Sequence, residues 1–413
     1  MTHSYLSFDV ELARSQFPAL HQRVNERPVV FFDGPGGSQV PQSVLNAMSD
    51  YLGQYNANLG GHFFSSEKTV ALVSQARESA QALFNAAHSD SIVFGANMTS
   101  LTMSLSRTIS RDWLPDDEIV VTALDHYSNV SSWVEAAKDR QAKVYQARVS
   151  PLMGGLDTEH LIGLISSKTK LVALTLASNT TGSLVDAKPI IEAAHKVGAK
   201  VYLDAVHLLP HQLIDVQALG CDFAAGSAYK FFGPHLGVAY IAPQHVQTLE
   251  PYKVLPATDK GPGRFETGTL NFEALAGFCA AVDYLETWSL CEGGLRERLE
   301  SSYGQIAQHE AKLSEYFLDN IASLSSVTLY GHDSPEHNLR TPTFAINIKD
   351  YSPHDVARML GEQNICVWSG HFYAPELIRQ LGTQERGGVL RVGMMHYNTL
   401  EEIAQLKRSI ESL

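Results

Sequence analysis

Strand-length apolar runs alternating with helical patterns predict an α/β fold, a large domain on a mainly parallel sheet followed by a smaller C-terminal α+β domain. Two observations carry this prediction. One is a clear strand, helix, strand unit near the middle of the chain, and the other is a change of style in its last quarter.

Taken in order, the runs are SIVFGA at 91–96, EIVVTAL at 118–124, AKVYQARV at 142–149, KLVALTLAS at 170–178 and AKVYLDAV at 199–206. Each is a nearly continuous stretch of branched and aliphatic residues, as a strand buried on both faces of a parallel sheet requires. Between the last two lies the best helix, DAKPIIEAAHKV at 186–197, with Asp and Pro at its start and Gly198 after its end. GVAYIAP at 237–243 adds a strand, and the stretch PYKVLPATDKGPGRFETGTLN at 251–271 mixes Pro, Gly and charge. A loop this long inside a compact domain is usually functional or disordered. Helical patterns follow at 272–288 and 295–318. Then come strand-like VTLYG and TPTFAINI, helix SPHDVARMLGEQN, strands ICVWSG and VLRVGMM, and a final helix TLEEIAQLKRSIESL. No internal repeat is visible.

Composition narrows the function classes. Of 413 residues, 31 are Lys or Arg and 44 are Asp or Glu, a net charge of −13, which speaks against a nucleic-acid partner. The 44% hydrophobic and 18% charged fractions exclude a disordered protein. Cys221, Cys279, Cys291 and Cys366 are widely spaced with no CxxC pair, so neither a disulfide framework nor a metal site is expected. No run approaches the roughly 18 apolar residues of a membrane span, and the first twenty residues lack a secretory pattern. A cytoplasmic location and no membrane partner are the expectation.

Asp204 ends the strand KVYLDAV, at the sheet edge where ligands of open α/β folds bind. Lys230 follows within SAYKFFGPHLG. A buried lysine forms a Schiff base with an aldehyde, and pyridoxal phosphate needs such a lysine together with an acid that keeps its ring nitrogen protonated. Taken alone, the pair fits a turn-capping Asp and a surface Lys equally well.

The surrounding segments decide between these. TALDHYSNVSSW (122–133), SNTTGSLVDAKPI (178–190), DAVH (204–207), SAYK (227–230) with Gly233, Pro234 and Gly237, RFETGTLN (264–271) and RVGMMHYNTLEE (391–402) stand in order along the chain. Together they resemble the class V aminotransferase family of fold-type I pyridoxal-phosphate enzymes, most closely its cysteine desulfurase and selenocysteine lyase branch. The resemblance implies a seven-stranded, mainly parallel sheet in a large cofactor domain at 31–290, a small domain at 291–413, and a segment at 1–30 packing on the small domain. It also implies a homodimer with the cofactor near the interface and a small amino acid as substrate.

Residue by residue, the resemblance places Lys230 on the cofactor aldehyde, Asp204 on the ring nitrogen, His126 stacked on the ring and able to move protons, and Asn179 beside the ring hydroxyl and the substrate. His207 stands where the family has a Gln on the ring oxygen. Phosphate contacts fall to Ser227, to Tyr229 in place of a His, and to Thr269 across the dimer. FGANMTS at 94–100 ends a strand and opens a helix, so the backbone N–H groups of Asn97, Met98 and Thr99 are expected at the phosphate. Arg391 is expected to clamp the substrate carboxylate.

One part of the pattern fails. Desulfurases of this branch carry a nucleophilic cysteine on a loop, and here that text reads WSGHFYAPEL (368–377), with Tyr373 at the nucleophile position beside His371. Trp368 likewise replaces an Arg. A phenol does not accept sulfane sulfur as a thiolate does. Lyase chemistry, transamination, a cofactor-binding homologue with reduced turnover, and a desulfurase using another cysteine all remain open, and Tyr373 reads either as a general acid or as a shape-filling group.

Overall fold

The computed structural model describes residues 8–150 and 154–413, so the first seven residues of the expected 1–30 segment lie outside it. The large sheet has seven strands, numbered in chain order: β1 Ile92–Gly95, β2 Glu118–Thr122, β3 Lys143–Ala147, β4 Thr169–Thr175, β5 Lys200–Asp204, β6 Phe223–Ser227 and β7 Gly237–Ile241. Their order across the sheet is β1-β7-β6-β5-β4-β2-β3. Only β7 opposes its neighbours, being antiparallel to both β1 and β6. The fold is thus the mainly parallel α/β architecture read from the sequence.

Alternate strand residues supply the two faces of the sheet. Val120, Val172, Leu174, Val201 and Leu203 enter one core, together with Leu83, Ile190 and Leu275 from the helices Phe64–Phe84, Lys188–Lys196 and Phe272–Glu286. Ile119, Val121, Leu171, Ala173 and Tyr202 enter the other, against Leu101, Leu105, Val130 and Trp133 of the helices Met98–Ile109 and Ser128–Arg140. Both faces being covered explains why the runs are continuously apolar.

Several local details depart from the sequence pattern. The helix expected at 186–197 spans Lys188–Lys196, because Asp186 accepts the Lys188 N–H at 3.1 Å as a turn before the helix proper. The segment after Asp204 forms successive turns rather than a helix, so His207 is held by tertiary contacts and not by helical spacing. ICVWSG is two strands: Ile365–Cys366 pairs with Val30–Phe31, and Trp368–Gly370 pairs with Val389–Gly393.

The second, four-stranded sheet runs in the order Val327–Tyr330, Thr343–Ile348, Val389–Gly393, Trp368–Gly370, all antiparallel. Its core is formed by Phe344, Ile346, Leu390, Val392 and Leu406. The helix Leu295–Phe317 bridges the units, with Leu299 and Ile306 in the large core and Leu313 and Phe317 in the small one. The N-terminal segment also touches both. Phe17 packs in the large core, whereas Arg14 pairs with Glu402 of the last helix at 2.9 Å.

Candidate functional site

The carboxyl ends of β2, β4, β5 and β6 and the start of the helix Met98–Ile109 meet at one edge of the sheet. Glycine at 237 makes this possible, since a Cβ there would lie 2.4 Å from the Asn97 carbonyl carbon. Between these ends opens a cleft. Lys230, Asp204, His126, Asn179, His207 and Tyr229 line it, together with Ser227, Met98 and Thr99.

Burial sets the charge state of these groups. The Lys230 ammonium is held down to about 7, first by burial and then by Arg391, against the opposing pull of Asp204 and Asp33. Its Nζ lies 4.7 Å from the Tyr229 ring centre and donates to the Pro35 carbonyl. Asp204 accepts the Val206 N–H at 2.9 Å, yet burial still pushes its carboxyl up to about 6. Such a carboxylate feels Lys230 without forming an ion pair, and a protonated ring nitrogen fits that need. Burial likewise lowers His126 to about 4, so the imidazole is neutral. The Ser128 N–H donates to its Nδ1 at 3.1 Å, which leaves the proton on Nε2.

A hydrogen-bonded ladder starts at the residue before His126. Asn129 Nδ2 donates to Asp125 at 2.7 Å, and Trp133 Nε1 donates to Asn129 Oδ1 at 3.0 Å. Asn129 and Trp133, four residues apart, share one face of the helix Ser128–Arg140, and Asp125 stands just before its start. Asp125 is buried and pushed up to about 8, first by burial, so it is protonated at neutral pH. His207 is anchored differently. Its Nε2 lies 3.2 Å from the Thr341 hydroxyl, which in turn donates to the Gly182 carbonyl.

The phosphate expectations divide. Met98 and Thr99 line the cleft, with the Met98 N–H donating to Ser227 Oγ at 3.0 Å. Asn97 faces outward instead. Its side chain caps the Ser100 N–H at 2.9 Å and its own N–H donates to Ser100 Oγ, so its part is to start the helix. Tyr229 stacks on His235 at 4.9 Å, and burial raises its phenol, so it stays a donor. Thr269 lies outside the cleft, on an exposed surface beside Leu59, Tyr252 and Val254.

Arg391 is buried behind Asn179. Its Nη1 donates to the Asn179 carbonyl at 2.8 Å, its guanidinium stands 4.2 Å from the Phe372 ring centre, and its Nε has no partner. Asn179 Nδ2 donates to the Phe372 carbonyl at 2.9 Å, leaving Oδ1 unpartnered. Tyr373 is 68% exposed and its ring stacks on His126 at 5.2 Å. His371 points to solvent and accepts the Tyr373 N–H at 3.1 Å.

No cysteine lines the cleft. Cys221 and Cys279 are buried, Cys291 is exposed, and half-buried Cys366 is pushed up to about 11 by burial and by Asp33. Among the residues the sequence did not single out, Pro35 offers its carbonyl to Lys230, and Asp33 lies near Arg391 with one buried oxygen unpartnered. The clustered glycines of DGPGG (33–37) were the available signal. Orphaned polar atoms on Asn179 and Arg391, the uncompensated Asp204 and the near-neutral Lys230 all suit a ring-bearing aldehyde cofactor and a carboxylate substrate.

Comparison with known proteins agrees with this chemistry. The aminotransferase class-V family model matches residues 30–406. A probable cysteine desulfurase of Halalkalibacterium halodurans is 34% identical over 412 residues, covering 96% of this chain and 95% of that protein. The aminotransferase-like protein FGM3 of Gibberella zeae is 31% identical, with 98% of each chain covered. Among solved structures, the apo cysteine desulfurase of Thermococcus onnurineus NA1 superposes with a TM-score of 0.85 at 26% identity over 97% of both chains.

Proposed function

The chain belongs to the class-V aminotransferase family and is a pyridoxal-phosphate-dependent enzyme; from that premise we propose that it acts on a small amino acid by lyase or aminotransferase chemistry centred on Lys230. When bound, the cofactor supplies an aldehyde carbon that takes the substrate amine and a ring that accepts electrons. Asp204 would hold the ring nitrogen, His126 the ring face, and His207 the ring hydroxyl. Ser227, Tyr229 and the N–H groups of Met98 and Thr99 would hold the phosphate. Lys230, poised near neutrality, is suited to carry a proton to and from the substrate α-carbon. Arg391 would fix the carboxylate through its free Nε and a neighbouring Nη, and Asn179 would add its free Oδ1.

The observation that carries this reading is the convergence of Lys230, Asp204, His126 and Asn179 on a cleft into which no cysteine opens. The same fact favours elimination or amino transfer over persulfide formation. A buried substrate-side arginine also argues for turnover over a scaffold role, because burying a cation is costly without a task for it. The test is spectral and chemical. The purified protein should absorb near 410–430 nm, an approximate range for such a lysine adduct, and Lys230→Ala should lose the band. A screen of amino acids for pyruvate, alanine, sulfide and keto-acid products then separates the reactions. Sulfide and alanine from cysteine with a persulfide on one of the four cysteines would overturn the assignment.

We also read the surface beside Thr269 as the face of a homodimer. Tyr252, Val254 and Leu255 stand out there, with Leu255 92% exposed, a cluster that favours association. Sedimentation at micromolar concentration tests this, and a monomer would exclude it. A cytoplasmic location and domain limits near residues 30 and 290 complete the proposal.

A further inference from the structure

The Arg391 guanidinium is largely covered. Its Nη1 donates to the Asn179 carbonyl, the Phe372 ring covers it at 4.2 Å, and Nη2 is left without a partner among the described residues. Its Nε is buried and unpartnered, so no ligand oxygen reaches it until a covering group moves. Asn179 presents backbone to the arginine, whereas Phe372 presents a side chain from a short loop.

That loop is built to move. Phe372 and Tyr373 adopt left-handed φ values of 50° and 58°, which bulky residues rarely hold in succession. Gly370, at φ 124° with open space around it, closes one strand, and buried Ala374 packs with Leu124 and Leu377. In between, the Phe372 ring packs against the cluster of Ala345, Ile378 and Val389, and three further contacts hold the loop down: Asn179 Nδ2 to the Phe372 carbonyl, the Tyr127 N–H to the Tyr373 carbonyl at 2.8 Å, and Tyr373 stacked on His126. Each consecutive aromatic therefore caps one residue that the substrate should meet.

We propose that Phe372 is a gating, specificity-determining residue: a substrate carboxylate must displace its ring from Arg391, so amines lacking a carboxylate leave the gate shut. This rests on the reading of Arg391 as the carboxylate site. Lifting the loop would also release the Asn179 carboxamide from the Phe372 carbonyl, so a single movement frees both groups for the substrate.

Trp368 is the exposed one of four tryptophans and lies on the strand leading into this loop, next to Arg391 across the sheet. Its fluorescence in the holoenzyme, with Trp368→Phe as control, reports the movement. L-alanine should change it and ethylamine should not. In Phe372→Ala, L-alanine should bind roughly two- to tenfold more tightly, the scale of a lost cation–π contact, with ethylamine unaffected. Phe372→Leu, which keeps bulk without the aromatic face, should fall between and serves if the alanine variant does not fold. Equal or weaker L-alanine binding in both folded variants would overturn the gate. Arg391→Gln separates the two ideas: if it loses L-alanine binding while the Phe372 variants gain none, the carboxylate reading stands and the gate falls. If Arg391→Gln binds L-alanine normally, the carboxylate reading falls, and the gate with it.

Discussion

The floor of the cleft and its rim are built by opposite means. On the floor, Asp204, Lys230 and His126 sit at or just past strand ends, mostly buried, and burial pulls each toward its neutral form. At the rim, Trp368, His371 and Tyr373 come from the other sheet and its loop, stand exposed, and hold no regular structure beyond one short strand. Rigid burial tunes protonation, and it tolerates little change. An exposed loop decides which substrate atoms meet the floor, so the rim bears on the choice of reaction.

Removing floor groups should have the largest effects on catalysis. Lys230→Ala is expected to lower turnover by more than about a thousandfold, as loss of an acid–base and covalent group does, with an unchanged circular dichroism spectrum. Asp204→Asn should cost about 10²–10³-fold, the scale of a lost electrostatic partner. Its effect on stability should run the other way. The folded-state pKa of Asp204 is raised, so the folded protein binds more protons than the unfolded chain between about pH 4 and about 6, and stability is lost as pH rises through that window. Cofactor-free Asp204→Asn should therefore melt like the parent near pH 4 and be more stable above pH 6, by about 3 kcal/mol. Equal melting at pH 7.5 would show that the floor carries no such burden.

The rim should answer more gently. Tyr373→Ala removes a stacked ring worth about 0.5–1.5 kcal/mol, so kcat/KM should change by no more than about tenfold, with only a small fall in Tm, since the residue is exposed. Tyr373→Phe keeps the stack and should retain activity within about twofold. An equal loss in both variants would instead make the phenol an acid and bring the rim into the chemistry.

This contrast also explains what could be read from the sequence. The parallel sheet was legible because burial on both faces writes continuous apolar runs such as KLVALTL, and Asp204 and Lys230 were legible because their flanking segments are rigid and specific. The N-cap role of Asn97 was not, since a helix start and a phosphate cradle share one spacing. Nor was the split of ICVWSG between two sheets, because periodicity does not report pairing partners. The covering of Arg391 depends on residues 179 and 372, whose meeting no local pattern records. The ladder from Asp125 lay in plain view as DHYSNVSSW but looked like ordinary helix.

The smallest expected effect sharpens the comparison most. Cys366 lies two residues before Trp368 and close to Asp33, so it is the cysteine to test for an unusual nucleophile. Its thiol sits near pKa 11, which leaves on the order of one molecule in 10⁴ as thiolate at pH 7. A nucleophile needs far more. Cys366→Ser keeps the size and removes the sulfur, so turnover should match the parent within about twofold on every amino acid the enzyme accepts, with a Tm change below about 1 kcal/mol equivalent for a half-buried site. Loss of sulfide release alone, with other products intact, would place sulfur chemistry on this residue and make the rim, rather than the floor, the origin of the reaction.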